Sequence, residues 1–165
     1  MTWSWISIGS NIDRERNIRA AIAALRTKFG EIKLSPVYET EAIGFSGDPF
    51  YNLVVGIETP FPPADTSIFL KQIEQSLGRK LGEKKFASRC IDLDLLTYAD
   101  QIIEEPTLNL PRNEILEYAF VLKPLADVAP LEVHPTTGIN YTDLWNQFLG
   151  EKSLEVTQFD LSTSP

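Results

Sequence analysis

The chain has 165 residues, of which 15 are Lys or Arg and 23 are Asp or Glu, so its formal net charge at neutral pH is −8. This charge argues against a nucleic-acid-binding protein, because such binding depends on basic surfaces. The length suits a single domain over 1–165, with a core over about 3–149 and a C-terminal extension over 150–165.

The counts of Cys and His limit which cellular compartment and which kinds of disulfide or metal site the chain can have. One Cys excludes an internal disulfide framework and favours a reducing compartment, and one His excludes a His-rich metal cluster. We find no targeting signal and no run of about 18 apolar residues, which a membrane-spanning helix would need. The sequence therefore predicts a cytoplasmic protein that binds neither membrane nor nucleic acid.

The first half of the chain alternates predicted strands and helices. Alternating side chains mark the strands, and apolar residues at spacings of three and four mark the helices, which end at Gly30 and Gly78. In order, the prediction is a strand over 3–8, a helix over 13–29 with Asn11 or Asp13 as its N-cap, a strand over 31–38, a loop over 39–49, a strand over 51–58, a helix over 64–77 with Ile68, Phe69, Ile73 and Leu77 inward, and a strand over 90–98.

This order of elements is the ferredoxin-like one. It predicts an α+β sandwich, in which an antiparallel sheet carries helices on one face. The remainder is predicted to contain a proline-bounded loop over 106–111 and helices over 117–126 and 141–149.

Two carboxylates follow each other on the last predicted strand. Asp92 and Asp94 share one face of that strand, because side chains two positions apart point the same way. Two ionised carboxylates side by side repel unless a cation offsets the repulsion, and Mg²⁺ is commonly held by one or two carboxylates together with substrate phosphates. From the pair alone, alternating charge on a solvated strand face is the favoured interpretation, because any half-buried strand shows such alternation.

The loop before that strand concentrates positive charge. Five basic residues, Arg79, Lys80, Lys84, Lys85 and Arg89, lie within eleven positions of an acidic protein. Cations beside a carboxylate–metal pair suit a polyphosphate substrate, because the metal and the cations together neutralise phosphate oxygens. A solvated basic loop is the structural alternative.

A third cluster, Phe50-Tyr51-Asn52, could stack on a flat heterocycle and hydrogen-bond its edge, or could simply begin a strand with Phe50 in the core. Neither the single His nor the single Cys supports a nucleophilic triad. We place His134 in a turn and expect Cys90 to be a core-facing or edge thiol.

Several short motifs in a defined order point to one family. They are Ile8-Gly9-Ser10-Asn11, Ser35-Pro36-Val37-Tyr38-Glu39-Thr40 with Ile43-Gly44, Phe50-Tyr51-Asn52, Ile73-Glu74 with Gly78-Arg79, Arg89 through Asp92-Leu93-Asp94-Leu95-Leu96, Leu110-Pro111, and Ala119-Phe120-Val121-Leu122-Lys123-Pro124-Leu125. Over about residues 3–149 the chain resembles the 6-hydroxymethyl-7,8-dihydropterin pyrophosphokinases of folate biosynthesis.

The resemblance implies transfer of a pyrophosphoryl group from ATP to the hydroxymethyl oxygen of the pterin, with release of AMP. It implies Mg²⁺ at Asp92 and Asp94, with Arg79 and Arg89 completing the catalytic set. The implied pterin contacts are Thr40, Glu41, Ile43, Phe50, Asn52 and Phe120. The implied nucleotide contacts are Glu74, Lys85, Arg89 and Arg112.

The chain departs from the family pattern on the nucleotide side. Arg112 stands where the family has His, and Glu114 and Tyr118 stand where it has Arg. Arg112 could replace the His as a phosphate donor, whereas Glu114 reverses a charge near a polyphosphate. Two hypotheses follow: a working pyrophosphokinase with an altered ATP clamp, or a divergent pterin-binding module without efficient transfer.

Overall fold

The computed structural model describes residues 2–42, 46–78, 90–157, 159 and 161. Its elements are β1 (Thr2–Ser10), α1 (Arg14–Phe29), β2 (Lys33–Leu34), β3 (Tyr38–Thr40), β4 (Phe50–Thr59), α2 (Pro63–Ser76), β5 (Asp92–Tyr98), β6 (Ile103–Glu105), β7 (Leu108–Leu110), α3 (Glu114–Glu117), α4 (Ala119–Val128), α5 (Tyr141–Gln147) and β8 (Glu155–Val156).

The main sheet is antiparallel, and its strands follow the order β5-β1-β4-β3-β8, with β2 also pairing with β4. This arrangement confirms the predicted ferredoxin-like α+β fold. The strand carrying the two aspartates, β5, lies at one edge beside β1, and β8 from the C-terminal extension lies at the other edge.

Helices cover both faces of this sheet, so the expectation of helices on one face was too narrow. Helices α1 and α2 bury the larger core; its members from these helices include Ile18, Ile22, Leu25, Leu70 and Ile73. Helices α4 and α5 pack on the opposite face, where Val121, Leu122, Leu125 and Tyr141 meet Trp5, Val54 and Leu96 of the sheet. No helix of the described residues is long and apolar enough to cross a membrane.

The predicted strand over 31–38 is interrupted. The Ser35 amide bonds Val54 O, and the Ser35 hydroxyl accepts the Val54 amide, whereas Pro36 has no amide hydrogen with which to continue a ladder. The chain resumes pairing with β4 only at β3, so Tyr38–Thr40 is a strand where a loop was predicted from residue 39.

Three other local predictions were wrong. Ile68 is 56% exposed, and Leu70 is the buried residue of that turn of α2, because the inward face runs through Thr66, Leu70, Ile73 and Glu74. The loop over 106–111 contains β7, which pairs with β6 as a hairpin. The helix predicted over 117–126 is α4, and only its start was wrong: it begins at Ala119, after the extended backbone of Tyr118, and the short helix α3 precedes it.

The ends of α1 agree with the sequence only in part. Gly30 ends the helix with a positive φ of 79°, which glycine adopts without strain. Asp13 precedes the helix, but its side chain makes no capping hydrogen bond. The side chain of Asn17 instead bonds Ile12 O at 2.7 Å and holds the entry to the helix.

We expect Gly56→Ala to destabilise the fold by about 1–3 kcal/mol, the usual cost of overpacking a filled core. An added Cβ would lie 2.4 Å from Cζ3 of Trp5, the cross-strand partner of Gly56. Urea unfolding measures the effect. The double variant Gly56→Ala/Trp5→Phe should lose less stability than the sum of the two single variants, because the smaller ring relieves the clash; strict additivity would contradict this explanation.

Candidate active site

One row of residues across three strands organises the candidate site. Gly9 of β1 is paired with Asp92 of β5 on one side and with Asn52 of β4 on the other. Paired residues on neighbouring strands point to the same face, so Asp92 and Asn52 face the side on which α4 packs, separated by two strand spacings, or about 10 Å. The metal and pterin candidates therefore share one face of the sheet.

Gly9 permits this close arrangement. A Cβ at this position would lie 2.9 Å from Oδ1 of Asn52 and 3.9 Å from Cδ1 of Phe50. Glycine therefore leaves space between Asp92 and Asn52 on this face of the sheet and lets the Asn52 side chain approach the backbone of β1.

Asp94 is held by a lysine that the sequence analysis did not identify. Nζ of Lys71, on α2, lies 3.1 Å from Oδ1 of Asp94, 3.2 Å from Oε2 of Glu74 and 3.0 Å from Leu93 O. The only signal in the sequence was the position of Lys71 one helical turn before Glu74, and this spacing alone does not indicate β5 as the third partner.

Glu74 closes the outer edge of β5. Its side chain is buried, and its Oε2 accepts the Leu93 amide at 2.6 Å. Together Glu74 and Lys71 satisfy the outward amide and carbonyl of Leu93, which an edge strand would otherwise leave unpaired. In this structure Glu74 supports the strand that carries the aspartates; its predicted nucleotide contact stays a prediction.

Two cations keep Asp94 ionised. Burial by itself would raise the pKa of Asp94, but the Lys71 ammonium and the Arg112 guanidinium outweigh it and hold the pKa below its usual value. Conversely, burial would lower the pKa of Lys71, yet the carboxylates of Asp94, Glu74 and Asp92 raise it above its ordinary value. Asp94 is therefore anionic, and its charge is already partly compensated by the two cations.

Arg112, which the resemblance sets in place of a His, lies beside the same carboxylates. Its amide donates to Leu96 O of β5 at 2.9 Å, which anchors it next to the aspartate strand. Its guanidinium makes two hydrogen bonds to Glu114, from Nε to Oε2 at 3.1 Å and from Nη2 to Oε1 at 2.9 Å. Such a paired geometry is also how Arg recognises a phosphate, so Glu114 takes a phosphate-like place on Arg112.

The predicted pterin residues lie mainly on β3 and β4. Thr40 and Asn52 are buried, and Nδ2 of Asn52 donates to Oγ1 of Thr40 at 2.7 Å. This bond orients the amide and directs Oδ1 towards Gly9. Phe50 is half-buried at the start of β4 and pairs with Thr40, whereas Glu41 is exposed just after β3.

Phe120 lies in the first turn of α4, the helix that packs on the same face of the sheet as Asp92 and Asn52. It is half-buried, packs against the core under α4, and stacks on Tyr118 with ring centroids 5.0 Å apart. Tyr118 thus contributes an aromatic contact to Phe120. The predictions for Ile43, Arg79, Lys85 and Arg89 fall outside the described residues.

The motif Ile8-Gly9-Ser10-Asn11, at the end of β1, connects neighbouring segments to the site. The Ser10 hydroxyl donates to Cys90 O just before β5, and Nδ2 of Asn11 donates to Asp48 O at 3.0 Å just before β4. Both aspartates and Asn52 lie within a few residues of these anchors, so the motif fixes the chain where the candidate residues begin.

The single His and the single Cys have structural roles. His134 is buried, and its Nδ1 accepts the amides of Thr136 and Thr137, which matches the predicted turn. Burial lowers the pKa of His134 below its ordinary value, which favours the neutral acceptor form. Cys90 is half-buried against the main core.

The donor set at Asp92 and Asp94 suits a divalent cation that brings further ligands with it. Among the described residues, no group of three or more His, Cys, Asp or Glu is arranged to hold a metal. A two-carboxylate site fits Mg²⁺ that retains waters and binds substrate phosphates, and it does not fit a metal that needs an all-protein cage.

A family model described as 7,8-dihydro-6-hydroxymethylpterin-pyrophosphokinase (HPPK) matches residues 5–130. The chain belongs to this family. A 2-amino-4-hydroxy-6-hydroxymethyldihydropteridine pyrophosphokinase of Porphyromonas gingivalis is 38% identical over 137 residues, which cover 79% of this chain and 92% of that protein. The corresponding Bacillus subtilis protein is 36% identical over 129 residues, with 76% and 77% covered.

Longer relatives share the same region. The folic acid synthesis protein fol1 of Pneumocystis carinii is 36% identical over 159 residues, 94% of this chain and 21% of that protein. The chain thus spans about a fifth of the fungal proteins it matches. A crystal structure of Plasmodium falciparum HPPK-DHPS with pteroate superposes with a TM-score of 0.70 over 90% of this chain and 42% of that chain, at 16% identity, and supports the fold.

Proposed function

We propose that this HPPK-family chain transfers the pyrophosphoryl group of ATP to the hydroxymethyl oxygen of 6-hydroxymethyl-7,8-dihydropterin and releases AMP. The observation that supports this most is the row Asp92–Gly9–Asn52, which puts the candidate metal-binding carboxylates and a buried amide on the same face of the sheet. An acceptor at Asn52 and polyphosphate at the aspartates would then be adjacent.

In this reaction the hydroxymethyl oxygen bonds to the β-phosphorus of ATP as the bond from that phosphorus to the α,β-bridging oxygen breaks. The hydroxyl proton is lost, and AMP leaves with the bridging oxygen. Such a transfer depends on positioning and charge neutralisation more than on a nucleophilic side chain. A site without a usable His or Cys is consistent with this chemistry.

The metal and the cations have separate roles in this proposal. Mg²⁺ at Asp92 and Asp94 would neutralise phosphate oxygens of ATP and hold them near the acceptor. Arg112 supplies a further positive charge beside these aspartates, and we assign to Arg79, Lys85, Arg89 and Glu74 the remaining contacts with ATP. Asn52, Thr40 and the neighbouring Glu41 and Ile43 would bind the pterin edge, and Phe50 and Phe120 its ring.

The test is release of AMP from ATP, followed by chromatography, with and without the hydroxymethyldihydropterin. We expect AMP only when both the pterin and Mg²⁺ are present, together with a pterin diphosphate product in equal amount. Release of ADP, or AMP release that does not depend on the pterin, would contradict the proposal.

We also propose that the protein acts in the cytoplasm, which fractionation of the source cells would check.

A second function is pterin binding without efficient transfer. One observation favours it: the Arg112 guanidinium is already hydrogen-bonded to the Glu114 carboxylate, which takes the place that a phosphate would need. Titration calorimetry distinguishes the two functions. Pterin binding without ATP binding at millimolar ATP and Mg²⁺ would support the binding module and contradict the enzyme.

Glu114→Gln is expected to tighten ATP binding by about threefold to tenfold, because a neutral amide competes less well than a carboxylate for Arg112. Calorimetry with a non-hydrolysable ATP analogue and Mg²⁺ measures the change. Arg112→Gln, which removes the cation of the same pair, should weaken binding instead. Equal effects of the two variants would show that the pair does not compete with phosphate.

A further inference from the structure

The C-terminal extension contacts the strand that carries Thr40. Strand β8 pairs with β3, with Val156 opposite Tyr38 and Glu155 opposite Glu39. The next amide, from Thr157, donates to Val37 O at 2.9 Å. A strand as short as β3 would otherwise be a sheet edge with one row of unpaired backbone groups, and such edges open easily.

The extension then packs against β4 on the face of the sheet that α1 and α2 cover. The Phe159 ring stacks on Tyr51, with centroids 5.5 Å apart and planes 19° from parallel, and the guanidinium of Arg19 lies 4.7 Å from its centroid. Both Phe159 and Leu161 pack against the main core. Tyr51 is therefore held by a residue that lies more than a hundred positions later in the chain.

Tyr51 lies between the two pterin candidates of β4 in sequence. Its side chain packs in the core under α1 and α2, while Phe50 and Asn52, its neighbours in sequence, alternate to the opposite face. The guanidinium of Arg14 also lies over the Tyr51 ring, at 3.7 Å, and bonds Glu39 at 2.8 Å and Pro49 O at 2.9 Å. These contacts connect β3, β4 and the segment between them.

We infer that residues 155–157 together with Phe159 are a positioning segment for the pterin subsite: they complete the edge beside β3 and support Tyr51, and thereby keep Thr40 and Asn52 in their hydrogen-bonded arrangement. This inference rests on the proposed function, because it names Asn52 as a pterin contact. The segment lies at the opposite edge of the sheet from β5. It therefore acts on pterin binding and leaves the ATP side, at Asp94 and Arg112, unaffected.

The test uses two full-length variants. Phe159→Ala removes the ring that stacks on Tyr51, and Thr157→Pro removes the amide that bonds Val37 O. Matched controls are Thr157→Ala, which keeps that amide, and Leu149→Ala, whose side chain is 99% exposed. Pterin and ATP-analogue dissociation constants are measured separately by calorimetry, and amide hydrogen exchange is followed at residues 38–40.

Phe159→Ala and Thr157→Pro are expected to weaken pterin binding by about tenfold, with ATP-analogue binding within about twofold of wild type. Amide exchange at 38–40 should accelerate in both, while Leu149→Ala matches wild type and Thr157→Ala stays close to it. Equal weakening of both ligands would indicate general destabilisation and overturn the inference. Unchanged pterin binding despite faster exchange would also overturn it, without affecting the proposed function. A wild-type chain that binds no pterin would contradict both.

Discussion

Asp94→Asn is expected to lower kcat for AMP release by at least about a thousandfold, because it removes one of the two carboxylates that would hold the divalent cation. The neutral amide keeps an oxygen that can accept the hydrogen bond that Lys71 now gives to Oδ1 of Asp94 at 3.1 Å. The fold should therefore survive, and the loss should appear in catalysis and metal binding.

Steady-state AMP release and Mn²⁺ binding by electron paramagnetic resonance measure this effect in parallel. Asp100→Asn is a matched control, since Asp100 is exposed in the turn after β5. We expect Mn²⁺ to bind Asp94→Asn at least about tenfold more weakly, while pterin affinity stays near that of wild type. Wild-type rates in Asp94→Asn would show that the metal site has been assigned wrongly.

Asn52→Ala is expected to raise KM for the pterin by about a hundredfold, with a smaller effect on KM for ATP. In this variant the pterin would lose its hydrogen bonds to the Asn52 amide, and its polar edge would be left unpaired. The Asn52 amide is oriented by Thr40, so Thr40→Val, which removes the hydroxyl but keeps the shape, should produce the same effect in weaker form.

Two further variants test the geometry around Asn52. Gly9→Ala would place a Cβ 2.9 Å from Oδ1 of Asn52 and should also raise KM for the pterin. Asn109→Ala, at an exposed position of β7, should leave both KM values unchanged. If Asn52→Ala affects ATP and pterin equally, Asn52 is not a specific pterin contact.

The aspartate pair and the cluster around Asn52 could be singled out from local patterns in the sequence, and the family resemblance supplied their proposed roles. Strand alternation puts Asp92 and Asp94 on one face whatever surrounds them, and the motif around Asn52 is contiguous. The proximity of Asp92 to Asn52 could not be obtained in this way, since it depends on the pairing of β1 with both β4 and β5.

Contacts between side chains on different helices and strands could not be predicted from the sequence. Lys71 is an ordinary helix residue in the sequence, and only the packing of α2 against β5 brings its ammonium to Asp94. Glu114 looked like a charge reversal near phosphate; the structure shows that it pairs with Arg112, two residues away. Ile68 was assigned to the wrong face of α2 because several apolar positions compete for a helical stripe and only contact with the sheet selects among them.

The sequence by itself determined the order of the main strands and helices up to residue 98, the ferredoxin-like class, the alternation of the aspartates and the family resemblance, because each depends on local periodicity or contiguous motifs. The tertiary structure alone decided which face each helix covers, how Lys71 and Arg112 compensate Asp94, and how the C-terminal extension reaches β3. These are contacts between residues far apart in the chain, and their geometry follows from strand register and packing, which no local pattern specifies.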